Sequence, residues 1–176
     1  EETGWRTWLT LTVRAVDRFW NKTTAEPAGV TLVTTDPWDT PHPRSVSLVS
    51  GTTQFAWTFR TATSAGWTVT VDDGAGGFEA DQSTWVYVDA GTPVTLQLLL
   101  PGETAVPGSL TGKTGSPTDW TAGVSSTAVV NVVDSQWNVV PTASISVLMR
   151  RDTDPFDSPA THTRGLINGT TNYILS

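Results

Sequence analysis

VRAVDRFWN, at residues 13–21, returns as VNVVDSQWN at residues 130–138, and this repeat decides the fold of the 176-residue chain. The similarity continues in the same order, because DPWDTP at residues 36–41 matches DPFDSP at residues 154–159. The copies lie 117 residues apart at the first motif and 118 residues apart at the second. Ordered matches at a nearly constant spacing indicate a structural repeat. We therefore expect two copies of one domain.

The composition predicts an all-β fold. The chain has 32 Thr and 20 Val, whose β-branched side chains favour strands over helices. Runs in which apolar and polar residues alternate indicate half-buried strands, and they lie at residues 8–16, 30–34, 45–49, 54–59, 67–71 and 85–88. Turn-forming residues separate the runs, and about seven strands per repeat is typical of an immunoglobulin-like β-sandwich.

The two copies are incomplete at opposite ends. The first has no counterpart of the leucine-rich strand at residues 94–100, and the second stops before its last two strands. We therefore predict two immunoglobulin-like sandwiches in tandem. One covers residues 1–92 without its opening strand, and the other covers residues 93–176 without its last two. The Pro- and Gly-rich stretch at residues 101–117 is predicted to be a long ordered loop.

Composition and charge argue against several classes of function. The net charge is −7 and only two residues are Lys, which disfavours binding to nucleic acid. No apolar run reaches the roughly 20 residues that cross a bilayer, so we expect no membrane insertion. The chain has no Cys, and its two histidines, His42 and His162, are predicted to be solvated loop residues. We therefore expect that the protein is not an enzyme and has no organic cofactor.

A divalent cation, Ca²⁺ above all, is the candidate ligand that the motifs indicate. Hard cations bind carboxylate and amide oxygens, and both repeated motifs carry such groups at the ends of predicted strands. The candidate metal ligands are Asp17, Asn21, Asp36, Asp39, Asp134, Asn138, Asp154 and Asp157. The alternative is that these side chains cap turns and that Pro37 fixes a corner. The sequence leaves both interpretations open.

Nine Trp residues are more than two small sandwiches need for their cores. Trp20 and Trp137 belong to the repeat, so we expect them in the core or as anchors of a loop. Others are candidates for an interface between domains or subunits, with sugar stacking as the alternative. The interface and structural candidates are Trp8, Trp20, Trp38, Trp57, Trp137, Phe156 and Tyr173.

LQLLLPGETAVPG at residues 96–108, followed by the second Asp-x-x-Trp-Asn motif, resembles tandem bacterial immunoglobulin-like repeats of the Big and invasin types. The resemblance implies a secreted or cell-surface structural protein, a repeat unit of a fibre, filament or stalk. It implies other copies or repeats of the chain as head-to-tail partners, with strand exchange as one means of assembly. The alternative is an adhesin that binds carbohydrate or a cell-surface protein through loops and exposed Trp. We also expect the chain to be a processed subunit or a segment of a longer array.

Overall fold

The computed structural model describes residues 9–25, 29–40, 42–148, 164–168 and 170–175. This part of the chain is all-β and contains no helix, so it has none that could cross a membrane. Contacts divide the chain into a first unit, residues 1–89, and a second unit, residues 90–176. The sequence placed the domain boundary close by, after residue 92.

The first unit contains eight strands among its described residues. They are β1 (Leu9–Arg14), β2 (Val30–Thr34), β3 (Arg44–Val46), β4 (Thr52–Trp57), β5 (Thr63–Trp67), β6 (Val69–Asp72), β7 (Asp81–Gln82) and β8 (Val86–Val88). All pairings are antiparallel: β1 with β4, β5 with β8, and a sheet in the order β3-β2-β6-β7. Leu32, Phe55, Trp57 and Val69 form a buried cluster, and Ala15, Val30 and Leu48 form another.

The second unit contains seven strands among its described residues. They are β9 (Thr95–Leu99), β10 (Glu103–Ala105), β11 (Lys113–Gly115), β12 (Ser126–Val133), β13 (Ser144–Leu148), β14 (Arg164–Asn168) and β15 (Thr170–Leu175). They form an antiparallel sheet in the order β15-β12-β9 and two antiparallel pairs, β10–β11 and β13–β14. The buried core cluster contains Val130, Val132, Val140, Ala143 and Val147.

The repeat found in the sequence is also a repeat of strand pairing. Val13 pairs with Thr53 in β1–β4, and the residues that match them, Val130 and Thr171, pair in β12–β15. A short β-bridge also closes the Asp-x-x-Trp-Asn turn in both units. It joins Val16 to Lys22 and, 117 residues further on, Val133 to Val139. The two copies therefore share their backbone pairing at these places as well as their residues.

The structure corrects two details of the predicted strands. The run at residues 67–71 is divided between β5 and β6, because Thr68 leaves the ladder and exchanges hydrogen bonds with Thr35. The stretch at residues 101–117 is more than a loop, because it contains the hairpin of β10 and β11. Both departures depend on contacts between distant residues, which local alternation does not encode.

Candidate functional site

The first Asp-x-x-Trp-Asn motif forms a closed turn after β1. One carboxylate oxygen of Asp17 accepts the backbone N–H groups of Phe19 (2.8 Å) and Asn21 (2.9 Å). The other oxygen accepts Asn21 Nδ2 at 3.0 Å. The Asn21 side chain, followed by the two backbone donors, holds the pKa of the Asp17 carboxyl below its ordinary value. Trp20 takes the left-handed conformation, with φ at 65°.

The second motif makes the same turn after β12, but there it is buried. Asp134 accepts the backbone N–H groups of Gln136 (2.8 Å) and Asn138 (3.0 Å) and the side-chain amide of Asn138 (3.0 Å). Trp137 also has a φ of 65°. Asp134 accepts one more donor, the N–H of Gly91 at 2.7 Å, which ties the beginning of the second unit to this turn.

Asp36, from the other repeated motif, links two loops of the first unit through a fully buried carboxylate. Its Oδ1 accepts the N–H of Trp38 (3.1 Å) and the hydroxyl of Thr61 (2.8 Å). Its Oδ2 accepts the backbone N–H groups of Arg60 (2.8 Å) and Thr61 (3.1 Å). Four donors around one buried carboxylate compensate for its loss of hydration. Asp36 therefore fixes the loop after β2 against the loop after β4.

Asp39 is also buried and joins three side chains. Its Oδ2 accepts the hydroxyl of Thr34 and the indole N–H of Trp57 (3.0 Å), while its Oδ1 lies 2.7 Å from His42 Nδ1. As predicted, His42 is an exposed loop residue, with 34% of its side chain accessible, and it also contacts the buried carboxylate of Asp39. The spacing Asp39-x-x-His42 is the signal that the sequence offered for this pair. His162 lies outside the described residues.

The described residues give no cluster of ligands for the predicted cation. The four described aspartates of the candidate set, which are Asp17, Asp36, Asp39 and Asp134, all accept N–H or O–H donors of their own unit. Within the described ranges, no three His, Asp or Glu side chains come together as a metal site. Asp154 and Asp157 lie outside those ranges. Cation binding at these positions stays a prediction, and turn capping is the role that the contacts support.

The repeated Trp residues lie in different surroundings. Trp20 is 72% exposed, so it is not a core residue. Trp137 is partly buried, and a Cβ added to Gly112 would lie only 2.5 Å from its Cγ. Of the other aromatic candidates, Trp57 is buried and Trp38 is partly exposed at the surface. Tyr173 lies on β15, where its backbone pairs with Ala128, whereas Trp8 and Phe156 lie outside the described residues.

An exposed aromatic pair that is absent from the candidate set lies at β8. Trp85 and Tyr87 are 61% and 68% exposed. A Cβ added to Gly66 would lie 3.3 Å from Trp85 Cε3 and 3.5 Å from Tyr87 Cε1, so both rings border this glycine. The spacing of two residues was a usable signal, because residues i and i+2 of a strand share a face.

The described structure defines the class as an all-β protein made of two units that repeat their pairing and their Asp-x-x-Trp-Asn turn. The comparisons with known proteins extend this no further, because no family model, curated protein or solved structure matches the chain significantly.

Proposed function

We propose that the chain is a non-catalytic, extracellular structural protein, made of tandem immunoglobulin-like β-sandwich repeats of a bacterial surface fibre, filament or stalk. Its partners are other copies or repeats of the same kind, arranged head to tail. The observation that carries this proposal is the recurrence of one strand register in both units, with Val13 and Thr53 matched by Val130 and Thr171. An array needs this kind of recurrence, because every repeat must present the same framework to the next.

The chemistry of the repeated side chains supports the same proposal. Asp17 and Asp134 direct their carboxylates into their own turns, where N–H groups occupy both oxygens. What the repeat preserves is therefore the means of holding the fold, as a structural module requires. A repeated ligand site would instead keep acceptor oxygens available for the ligand.

Surface accessibility on the producing cells tests the proposal. Antibodies raised against the chain should label intact cells, and a protease that cannot enter cells should remove the label. The denatured polypeptide should run at many times 18.8 kDa if the repeats are covalent, or near 18.8 kDa if it is a processed subunit. Label that appears only after the cells are lysed would contradict an extracellular role.

The exposed pair Trp85 and Tyr87 favours one second candidate, an adhesin that binds carbohydrate. Aromatic faces stack on the apolar faces of sugar rings, and these two rings lie side by side at Gly66. A glycan array should then show binding that Trp85→Ala abolishes. Trp120→Ala, at another exposed Trp, is the matched control and should leave binding unchanged. Failure of the unmodified chain to bind any glycan on the array would reject this candidate.

A further inference from the structure

In the second unit, β12 is covered along both of its edges. It pairs with β15 on one side and with β9 on the other, where Val129 lies opposite Leu99 and Val133 lies opposite Thr95. Its last four residues are all buried, although alternate residues of a strand point to opposite faces. Both faces of β12 are therefore shielded from solvent over these four residues, in addition to both of its edges.

The loop of the β10–β11 hairpin, which follows β9 directly, contacts Gln97 of β9 and Trp137, which follows β12. Gln97 of β9 donates through Nε2 to the carbonyl of Gly112 (2.7 Å) and accepts Asn131 Nδ2 of β12 (2.8 Å). Gly112 has a φ of 75° and lies so close to the ring of Trp137 that only a residue without a Cβ fits. Strand β9 thus covers one edge of β12, and the hairpin loop packs on Gln97 and on the repeated Trp.

Strand β9 and the hairpin are also tied to each other. Glu103 accepts the N–H of Leu100 (2.9 Å) and forms an ion pair with Lys113 (2.8 Å). Lys113 Nζ also donates to the carbonyl of Leu98 on β9 (3.3 Å). These contacts all lie within residues 94–115, so they help to stabilise the conformation of this segment from within. We call it the strand–hairpin segment.

The equivalent edge of the first unit lacks such a cover among the described residues, where β1 pairs only with β4. Ala15 donates its N–H to Gly51 on the β4 side (3.0 Å). Since consecutive residues of a strand turn their backbone groups to opposite edges, Thr12 and Arg14 present theirs to the other edge. Trp20, the counterpart of the covered Trp137, is 72% exposed.

The side chains also correspond. Arg14 stands at the repeat position of Asn131, the residue that donates to Gln97 in the second unit. Arg and Asn both supply N–H donors, so a Gln placed opposite Arg14 would again find a donor. The backbone edge, the donor and the exposed indole thus match what the second unit offers to its own strand–hairpin segment.

We infer that the outer edge of β1, together with Arg14 and Trp20, is an acceptor site for a strand–hairpin segment supplied by another repeat of the same kind. This inference rests on the proposed structural function and names the contact through which repeats join. The incoming strand pairs with β1 as β9 pairs with β12, and its hairpin places a glycine against Trp20.

A labelled peptide with the sequence of residues 94–116, titrated with the whole purified chain, tests the acceptor site by fluorescence anisotropy. We expect saturable binding, with slower hydrogen exchange at the N–H groups of Thr12 and Arg14. Trp20→Ala in the chain should weaken binding at least ~10-fold, as for an aromatic hot spot. The matched variant Trp137→Ala should not weaken it, because its indole is already covered.

Two further variants separate strand addition from loss of folding. Thr12→Pro removes an N–H that only an added strand would use, and an edge position tolerates proline, so this chain should fold but not bind. In the peptide, Gly112→Ala should abolish binding, whereas Thr104→Ala, at an exposed position, should not. Absence of binding, or protection of β12 in place of β1, would overturn the inference.

The two proposals can fail separately. If the peptide does not bind but the protein is accessible on intact cells, the acceptor site is rejected and the proposed function stands. If the peptide binds but the protein is found only inside cells, the acceptor site stands and the extracellular function is rejected.

Discussion

Gly112→Ala should destabilise the second unit, because it introduces two separate costs. The φ of 75° at this position costs a residue with a Cβ about 1–2 kcal/mol. The new Cβ would also lie 2.5 Å from Cγ and 2.6 Å from Cε3 of Trp137, atoms in the body of a ring that cannot swing away. Such overpacking costs about 1–3 kcal/mol. We therefore expect a total loss of roughly 2–5 kcal/mol.

Gly123→Ala is the matched control, because Gly123 has a φ of 78° and an added Cβ would meet nothing within 4 Å. It should cost only the backbone term, about 1–2 kcal/mol. Both substitutions restrict the unfolded chain equally, so their difference isolates the contact with Trp137. Hydrogen exchange at β9 and β12, measured against urea concentration, reports the stability of this unit alone. Equal losses for the two variants would refute the packing of the hairpin on Trp137.

Three more predictions concern the buried and exposed carboxylates. Asp134→Ala should lower the stability of its unit by about 1–3 kcal/mol, because buried donors lose their acceptor. Asp17→Ala, at the exposed turn, should lower stability by less. Equal losses of stability in urea unfolding would contradict this prediction. Trp57→Phe should lower stability by about 1–3 kcal/mol, since buried Asp39 loses a donor. Trp67→Phe should lower stability by less, because the indole of Trp67 donates to a carbonyl. A larger loss for Trp67→Phe in thermal unfolding would contradict this prediction. The lowered pKa of Asp17 means that its stabilisation is complete above the pKa of the unfolded carboxyl and is lost below about pH 4 as pH falls through the folded value. An NMR titration that places the carboxyl above its ordinary pKa would show the sign to be wrong.

The repeat is the feature of the sequence that the structure reproduces most directly, because it recurs in the strand pairing. A shift of 117 residues at β1 and 118 at β4 requires that Val130 pair with Thr171 if Val13 pairs with Thr53, and both pairs form. Local alternation served less well where a long-range contact intervened. Thr68 interrupts a run of strand-forming residues because it bonds to Thr35, which is distant in sequence. A pattern read along the chain has no information on such a partner.

The candidate site likewise combines local contacts, which the sequence can predict, with contacts between distant segments, which it cannot. The alternative that Asp17 caps its own turn concerned neighbours in sequence, and residues 17–21 contain every group that the turn needs. The links from Asp39 to Trp57, and from Asp36 to the loop after β4, join segments that only the folded chain brings together. The exposure of Trp20 was equally out of reach, because it depends on what covers one copy and leaves the other open.

β1 and β12, the strands that lead into the repeated Asp-x-x-Trp-Asn turn, differ in the residues that would meet an added strand. This difference affects how repeats would join. β12 has Val129 and Asn131 at the positions that face its cover, whereas β1 has Thr12 and Arg14 there. A segment that covers β1 must therefore contact polar and charged groups, and Trp20 supplies the largest apolar surface available to it. We therefore expect the first unit to release its cover more readily than the second, since loss of β9 from β12 would expose Val133, which is fully buried.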